Sequence, residues 1–278
     1  MSWRARSLLR RAVNAAIMLG IVATALFPIL WGLSTSLKPT ERILEYPPLL
    51  VPDQPTLAHY RMLWETGIGR PILNSAIVSA ATVALCLVLG SLAGYALARF
   101  AFRGKQGVML AIVAVMSIPL PSVLVPTFTF LVNLDLNDSL IGLVLLYTAY
   151  QLPITVWILY GYFRTVPEQI EQAAMIDGYG RLAVLRKIVL PLSGPGLVAA
   201  GLFVLTFAWN DFVVAVVMSS SESVRTLPVA IYHYLGFFGR DWGPLTAAAM
   251  VSIVPVIGVF VVFQRYFLSG MTGGSVKG

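Results

Sequence analysis

Charged residues are scarce in this chain. Asp, Glu, Lys and Arg make up 11% of its 278 residues and hydrophobic residues 58%, where soluble domains carry roughly 25% and about 45–50%. A mean hydropathy of +0.83 goes with that balance. Together they exclude a water-soluble enzyme and a disordered chain. Cysteine is nearly missing: Cys86 alone cannot close an intramolecular disulfide, so a disulfide scaffold is excluded and the redox compartment leaves no mark. Two histidines, His59 and His233, and that one thiol are too few for a structural zinc cluster. Paired carboxylates and an H-E-x-x-H pattern are also missing, which leaves a membrane-embedded enzyme without visible catalytic residues. No GxxxxGK[ST] loop occurs either: Gly104-Lys105 is followed by Gln106 and lacks the upstream glycine.

Long apolar runs are what the chain does have. Crossing about 30 Å of hydrocarbon takes roughly 20 apolar residues, and stretches of that kind occur six times: Ala12–Leu37, Pro71–Ala98, Gln106–Leu134, Ser139–Phe163, Ile188–Asn210 and Trp242–Gln264. The fifth can continue past Asp211 through Phe212–Met218. The pattern predicts an all-α, polytopic membrane protein over residues 1–278, a single transmembrane domain. The period-2 alternation of a membrane β-barrel is missing. The first stretch exceeds a 7–15-residue signal core and is read as retained.

Lys and Arg set the orientation. Thirteen fall on the side of the N-terminus, the second and fourth connections and the C-terminus; six fall on the other side. Three acidic residues lie on the first side and nine on the second. Both termini are therefore expected in the cytoplasm. The net charge of +7 is a topology signal and gives no ground for nucleic-acid binding. No internal repeat is visible, so the inverted-repeat architecture of many secondary transporters finds no support.

Within the spans, Pro119, Pro121 and Pro126 predict an interrupted third helix, because each removes a donor and crowds the preceding turn. The break either lines a pathway or serves packing; Pro153 and Pro255 add isolated kinks. Intramembrane charge, the usual mark of ion-coupled transport, is confined to Asp211 in Trp209-Asn210-Asp211-Phe212. That group reads as a helix end at the outer interface or as a polar wall for a hydroxylated solute, with the indole facing a sugar ring.

The longest cytoplasmic connection, Arg164–Gly194, reads as two short helices. Thr165 and Glu168 have capping-box spacing, with Pro167 in the first turn. Ile170, Ala173 and Ala174 share a face at i, i+3, i+4, and Gly178 supplies a positive φ to end the helix. The second carries Leu182, Leu185 and Ile188 with basic Arg181, Arg186 and Lys187, and stops at Pro191. So small a hairpin has no core of its own. Its Ala173-Ala174 face suits a groove on another protein, or the hairpin lies on lipid.

Gln172-Ala173-Ala174, three residues, Gly178, nine residues, Ile188, one residue, Leu190-Pro191 is similar to the EAA signature of ABC-importer permeases. The signature glutamate falls on Gln172, with Glu171 one place early. Ser36-Leu37-Lys38-Pro39, Asn74-Ser75, Gly94-Tyr95-Ala96-Leu97-Ala98-Arg99 and Trp209-Asn210-Asp211-Phe212 resemble the carbohydrate branch. The tail Gly270–Gly278 resembles that of maltose-importer G-type permeases.

The resemblance implies the type I importer permease fold, in the cytoplasmic membrane. It implies as partners a homologous second permease subunit, two cytoplasmic ATPases carrying ATP and Mg, and an extracytoplasmic solute-binding protein. This chain itself would hold no cofactor and be no enzyme. Its cargo would be a di- or oligosaccharide, with glycerol-3-phosphate or a related polyol compound as the rival. The loop 165–191, with Glu171, Gln172, Ala173, Ala174, Asp177, Gly178, Ile188, Leu190 and Pro191, would couple to an ATPase. The flexible tail, with Gly273, Gly274 and Lys277, would reach between the ATPases or remain a frayed end. Trp209, Asn210, Asp211, Pro119 and Pro121 are candidates for the solute pathway. Tyr232, His233, Tyr234, Phe237 and Phe238 in the outer loop Ser219–Asp241 would meet the binding protein or anchor at the bilayer surface.

Overall fold

The computed structural model describes residues 3–235 and 241–273, with side chains described at 10, 11, 13–235 and 241–264. Those residues are helical and turn structure with no strand among them. In chain order the helices are α1 (Trp3–Ser36), α2 (Ala58–Glu65), α3 (Gly69–Arg99), α4 (Lys105–Met116), α5 (Leu120–Asn133), α6 (Leu140–Phe163), α7 (Glu168–Ile176), α8 (Arg181–Val184), α9 (Leu190–Leu192), α10 (Gly194–Asn210), α11 (Val213–Met218), α12 (Leu227–His233) and α13 (Trp242–Gly273). A π turn, Leu185–Val189, joins α8 to α9.

Four helical stretches, Val13–Ser36, Gly69–Arg99, Leu140–Phe163 and Trp242–Gln264, are long and apolar enough to cross a membrane, and two bent pairs bring the number to six if each crosses once. In the first pair α4 and α5 meet at 98°, with Pro119 capping α5 and Pro121 in its first turn. The interruption falls where the prolines predicted it. In the second pair Arg181–Leu192 meets α10 at 83°. This corrects the expected fifth span: Ile188–Leu192 belong to the connection after α6, and the apolar run of α10 starts at Gly194, with Pro195 in its first turn, where its missing donor costs nothing. At 1.5 Å per residue, α10 covers roughly 25 Å. After a break at Asp211, α11 extends the run.

The chain forms two compact units. One comprises the described parts of Met1–Ile68 and Ile231–Val254; the other comprises Gly69–Ala230 and Pro255–Gly278. In the first, the His59 ring bonds through Nε2 to the Lys38 carbonyl at 2.8 Å and lies where a Cβ on Gly243 would sit. Tyr60 and Ser36 share a hydroxyl bond of 2.8 Å, so α2 is pinned to the end of α1. The Lys38 ammonium lies 5.1 Å from the Trp31 ring centroid.

The second unit is built on α3 and α6, with α10 against both. The contact face of α3 is a seam of small residues, Ser75, Ser79, Thr82, Cys86, Gly90 and Gly94, all buried. Small residues let membrane helices approach closely enough for dispersion contacts to hold them. A Cβ on Gly90 would lie 2.6 Å from Thr155 Cγ2, and one on Gly94 would lie 3.1 Å from the Tyr160 backbone nitrogen. The Cys86 thiol points at the Thr148 carbonyl, so the facing positions rise together and the helices run parallel. Two apolar clusters follow. One joins Val78, Leu124, Leu143, Tyr147, Ala208 and Val214. The other joins Tyr95, Leu159, Phe163, Ala174, Val184 and Val189, so the hairpin after α6 packs its apolar residues into the bundle.

The expected flexible tail is corrected in part. α13 runs on to Gly273, since extending an existing helix costs far less than starting one. Gly274 and Lys277 lie outside the described residues, as do Phe237 and Phe238.

A side chain at Gly94 meets backbone, which cannot step aside. Gly94→Leu is expected to lower stability by about 1–3 kcal/mol, measured by unfolding in mixed micelles. Gly161→Ala, on a part of α6 where a Cβ meets nothing within 4 Å, should leave it unchanged.

Candidate functional site

The C-terminal ends of α3 and α6 and the hairpin that follows bring together a buried ion pair and its hydrogen-bond partners. Tyr95 and Arg99, one turn apart on α3, face the same way. Arg99 Nε donates to Glu171 Oε1 at 2.7 Å, and the Tyr95 hydroxyl donates to Glu171 Oε2 at 2.8 Å. Arg99 Nη2 donates to the Phe163 and Val166 carbonyls at 2.7 and 2.8 Å. The two charged side chains are 4% and 2% exposed. The Tyr95 ring lies edge-on to Phe163 and Phe100. One guanidinium thus closes the C-terminus of α6, holds the next connection and binds the first turn of α7. With both carboxylate oxygens and the guanidinium Nε and Nη2 engaged, the desolvation cost of the buried charges is offset by their hydrogen bonds.

Local structure differs from the sequence expectation in four respects. Thr165 does not cap α7: its hydroxyl donates to the Tyr162 carbonyl at the end of α6, and Pro167 is the N-cap. Glu168 and Glu171 in the first turn still complement the helix dipole. The expected apolar face is also split. Glu171 and Ala174, at i and i+3, turn inward and are buried, whereas Ile170, Gln172, Ala173, Ile176 and Asp177 are exposed. Ala173 and Ala174 therefore do not form one outward face. In the second helix Leu182 is exposed, Ile188 half-buried, and Val184, Leu185 and Val189 are buried. The π turn adds a residue there and shifts the register. The segment also continues past Pro191 to Leu192 before breaking.

Gly178 has φ +88° and ends α7 as the sequence predicts. Beyond it, Lys187 and Arg181 lie over the rings of Tyr179 and Phe100. The outward surface is apolar at its tip, with Ile176 86% and Leu182 68% exposed. Arg99 is the residue that sequence reasoning missed. In the sequence it stands only as the end of the Gly94–Arg99 motif, and the signal for its role is its i, i+4 spacing from Tyr95 at the end of a span.

The Trp209-Asn210-Asp211 group serves structure in this conformation. Asp211 Oδ2 accepts from the Tyr147 hydroxyl at 2.8 Å and from the Val214 and Ala215 N–H groups at 3.1 and 3.0 Å, so it caps α11. Trp209 is buried in this conformation. Asn210 bonds back to the Thr206 carbonyl and lines a groove with Phe203, Phe207 and Phe260. Pro119 and Pro121 are exposed at the break between α4 and α5.

At the other end of the unit, Asn74 Nδ2 donates to the Ser223 and Arg225 carbonyls, both at 2.9 Å. Ser75 Oγ accepts from Leu227 N–H at 2.8 Å. Asp138, in the turn before α6, accepts from the Ser220 and Ser221 N–H groups at 2.9 and 3.0 Å. The Ser221 N–H foremost holds that carboxyl below the usual carboxylate range. In the first unit Tyr232 is half exposed, lying edge-on to His233, and the Tyr234 hydroxyl bonds Thr66 at 2.9 Å.

Residues 86–273 match the family described as binding-protein-dependent transport system inner membrane component. The sulfoquinovosyl glycerol transport system permease protein SmoH of Agrobacterium fabrum is 38% identical over 269 residues, 96% of this chain and 93% of that one. The trehalose transport system permease protein SugB of Mycobacterium tuberculosis is 35% identical over 93% of this chain and 94% of its own. The trehalose/maltose transport system permease protein MalG of Thermococcus litoralis is 34% identical over 96% of both. A solved bacterial ABC transporter involved in import of the acidic polysaccharide alginate contains a chain with the same fold. The TM-score is 0.83 at 22% identity, over 96% of this chain and 99% of that one.

Removing one member of the buried pair strands the other. Arg99→Leu and Glu171→Leu are each expected to cost about 3–5 kcal/mol. The double variant should cost less than the sum of the two, read from unfolding in mixed micelles. Strictly additive losses would contradict a direct pairing.

Proposed function

The chain belongs to the family of binding-protein-dependent transport system inner membrane components, and on that footing we propose that it is the permease subunit of an ATP-driven ABC importer that carries a di- or oligosaccharide, or a glycoside of similar size. The observation that carries the coupling part of this reading is the two-sided α7. Its inner face is locked to the bundle by Glu171 and Ala174, and its outer face offers Ala173 and Ile176. An exposed isoleucine on a small helix that the charge pattern assigns to the cytoplasm is a docking knob for a partner groove. Gln172, Asp177 and Gly178 border it. Ile188, Leu190 and Pro191 bring the chain back to α10.

The partner on that side is a pair of ATPase chains, because this chain has no phosphate-binding loop of its own; they bring ATP and Mg. A homologous permease subunit completes the path, with both termini in the cytoplasm. A solute-binding protein delivers the cargo on the other side, where Tyr232, His233 and Tyr234 lie. The sugar class rests on relatives named for trehalose, maltose and sulfoquinovosyl glycerol. The last of these joins a sugar to glycerol, so polyol-bearing solutes stay within the range.

Two variants test the coupling assignment. Ile176→Asp alters a side chain that the fold does not bury, and Gly178→Val forces a branched residue into a left-handed conformation it resists. Each should abolish most uptake and ATPase retention during purification, with membrane insertion near the wild-type level. Normal retention by Ile176→Asp would remove α7 from the ATPase contact.

A further inference from the structure

The stretch Met218–Leu227 between α11 and α12 has no regular structure through residues 219–226, yet it is fastened at both ends by groups from elsewhere. Near its start, the Asp138 backbone N–H donates to the Met218 carbonyl at 3.1 Å, and the Asp138 carboxylate accepts from Ser220 and Ser221. At its end, Asn74 gives both amide hydrogens to Ser223 and Arg225, and Ser75 takes the Leu227 N–H. Asn74 and Ser75 are 5% and 1% exposed. Asp138 holds its place with φ +49°, a conformation that suits Asp and Asn and costs other side chains energy. Satisfying irregular backbone beside a bilayer is a requirement of any such loop. Helices α3 and α6 supply these contacts from their outer ends, so the loop's position is set by the same pair that forms the core of the unit.

We propose that Asn74, Ser75 and Asp138 are positioning residues: they fix the segment Met218–Leu227, and with it the start of α12, in the conformation to which the extracytoplasmic solute-binding protein docks. This rests on the importer reading above. A surface fixed before the encounter spares the complex the ordering cost. If the clasp opens, only a fraction of molecules presents the competent surface, and the apparent dissociation constant rises by the inverse of that fraction.

The test uses the complete importer, purified with its partner subunits, and the solute-binding protein that stimulates ATP hydrolysis by the wild type. Asn74→Asp replaces two donors by a carboxylate facing two carbonyls, and Asp138→Ala removes the acceptor. Both are expected to raise the binding-protein concentration for half-maximal stimulation about tenfold, with maximal stimulated hydrolysis kept within about twofold. Asp138→Asn keeps an acceptor oxygen and tolerates the left-handed backbone, so it should restore the wild-type value. Amide exchange across residues 219–227 should quicken in the first two variants alone. An unchanged half-maximal concentration despite faster exchange would overturn the proposal, as would a loss confined to the maximal rate or a failure of Asp138→Asn to rescue. A wild-type importer that no binding protein stimulates would overturn the importer reading and this proposal with it.

Discussion

A guanidinium and a carboxylate buried together at the C-terminal end of α3 decide what the hairpin beyond α6 can do. The hairpin has no core of its own, and α7 is nine residues long, too short to hold its shape in water. Arg99 fixes it in three ways: it closes the last turn of α6, holds the Val166 carbonyl and binds Glu171. Ala174, Val184 and Val189 then fill the space around Tyr95 and Phe163. Buried ion pairs are poor sources of net stability but exact a high penalty when misaligned. The pair therefore acts here as a register pin, selecting which face of α7 is turned inward.

The pin works only because α3 and α6 lie close together. Arg99 reaches the Phe163 carbonyl from a helix whose contact seam is Thr82, Cys86, Gly90 and Gly94; the Thr155 side chain takes the space at Gly90 and the α6 backbone that at Gly94. The same parallel pair presents Asn74, Ser75 and Asp138 at its opposite end. Two surfaces, one under the bundle and one above it, thus hang on a single helix–helix contact. In the proposed importer these are the ATPase side and the binding-protein side. A solute path between two permease subunits opens and closes only if motion at one surface is carried to the other, and a stiff pair of helices is the shortest physical link.

Much of this was legible in the residues. Apolar length marked the candidate spans, Pro119 and Pro121 located the bend between α4 and α5 while Pro126 lies inside α5, and Gly178 marked the end of α7 because a left-handed turn needs it. The orientation of α7 was not legible. Glu171 and Gln172 are adjacent, and spacing cannot say which is buried until the position of Arg99 is known. Thr165 and Glu168 matched a capping box, but the Tyr162 carbonyl took the hydroxyl first. The π turn at Leu185–Val189 leaves no mark in a 3.6-residue period; Leu185 is buried as expected, but Val184 and Val189 take the places expected for Leu182 and Ile188. Asp211 read as a pathway or helix-end residue; its carboxylate caps α11 through the Val214 and Ala215 N–H groups, and the bond from Tyr147 is legible only in three dimensions.

The central physical claim is that α7 moves as one body with the C-terminal end of α3. Spin labels at Arg103→Cys, just beyond α3, and Ala173→Cys, on the outer face of α7, would report it directly; both positions are exposed and the native Cys86 is buried. Distances between them would be measured in the assembled importer without nucleotide and after trapping with ATP. The same distance distribution in both states is expected while Arg99 and Glu171 are intact. A distribution that shifts or splits between the two states in the unaltered pair would contradict the claim, because α7 would then be moving independently of the bundle.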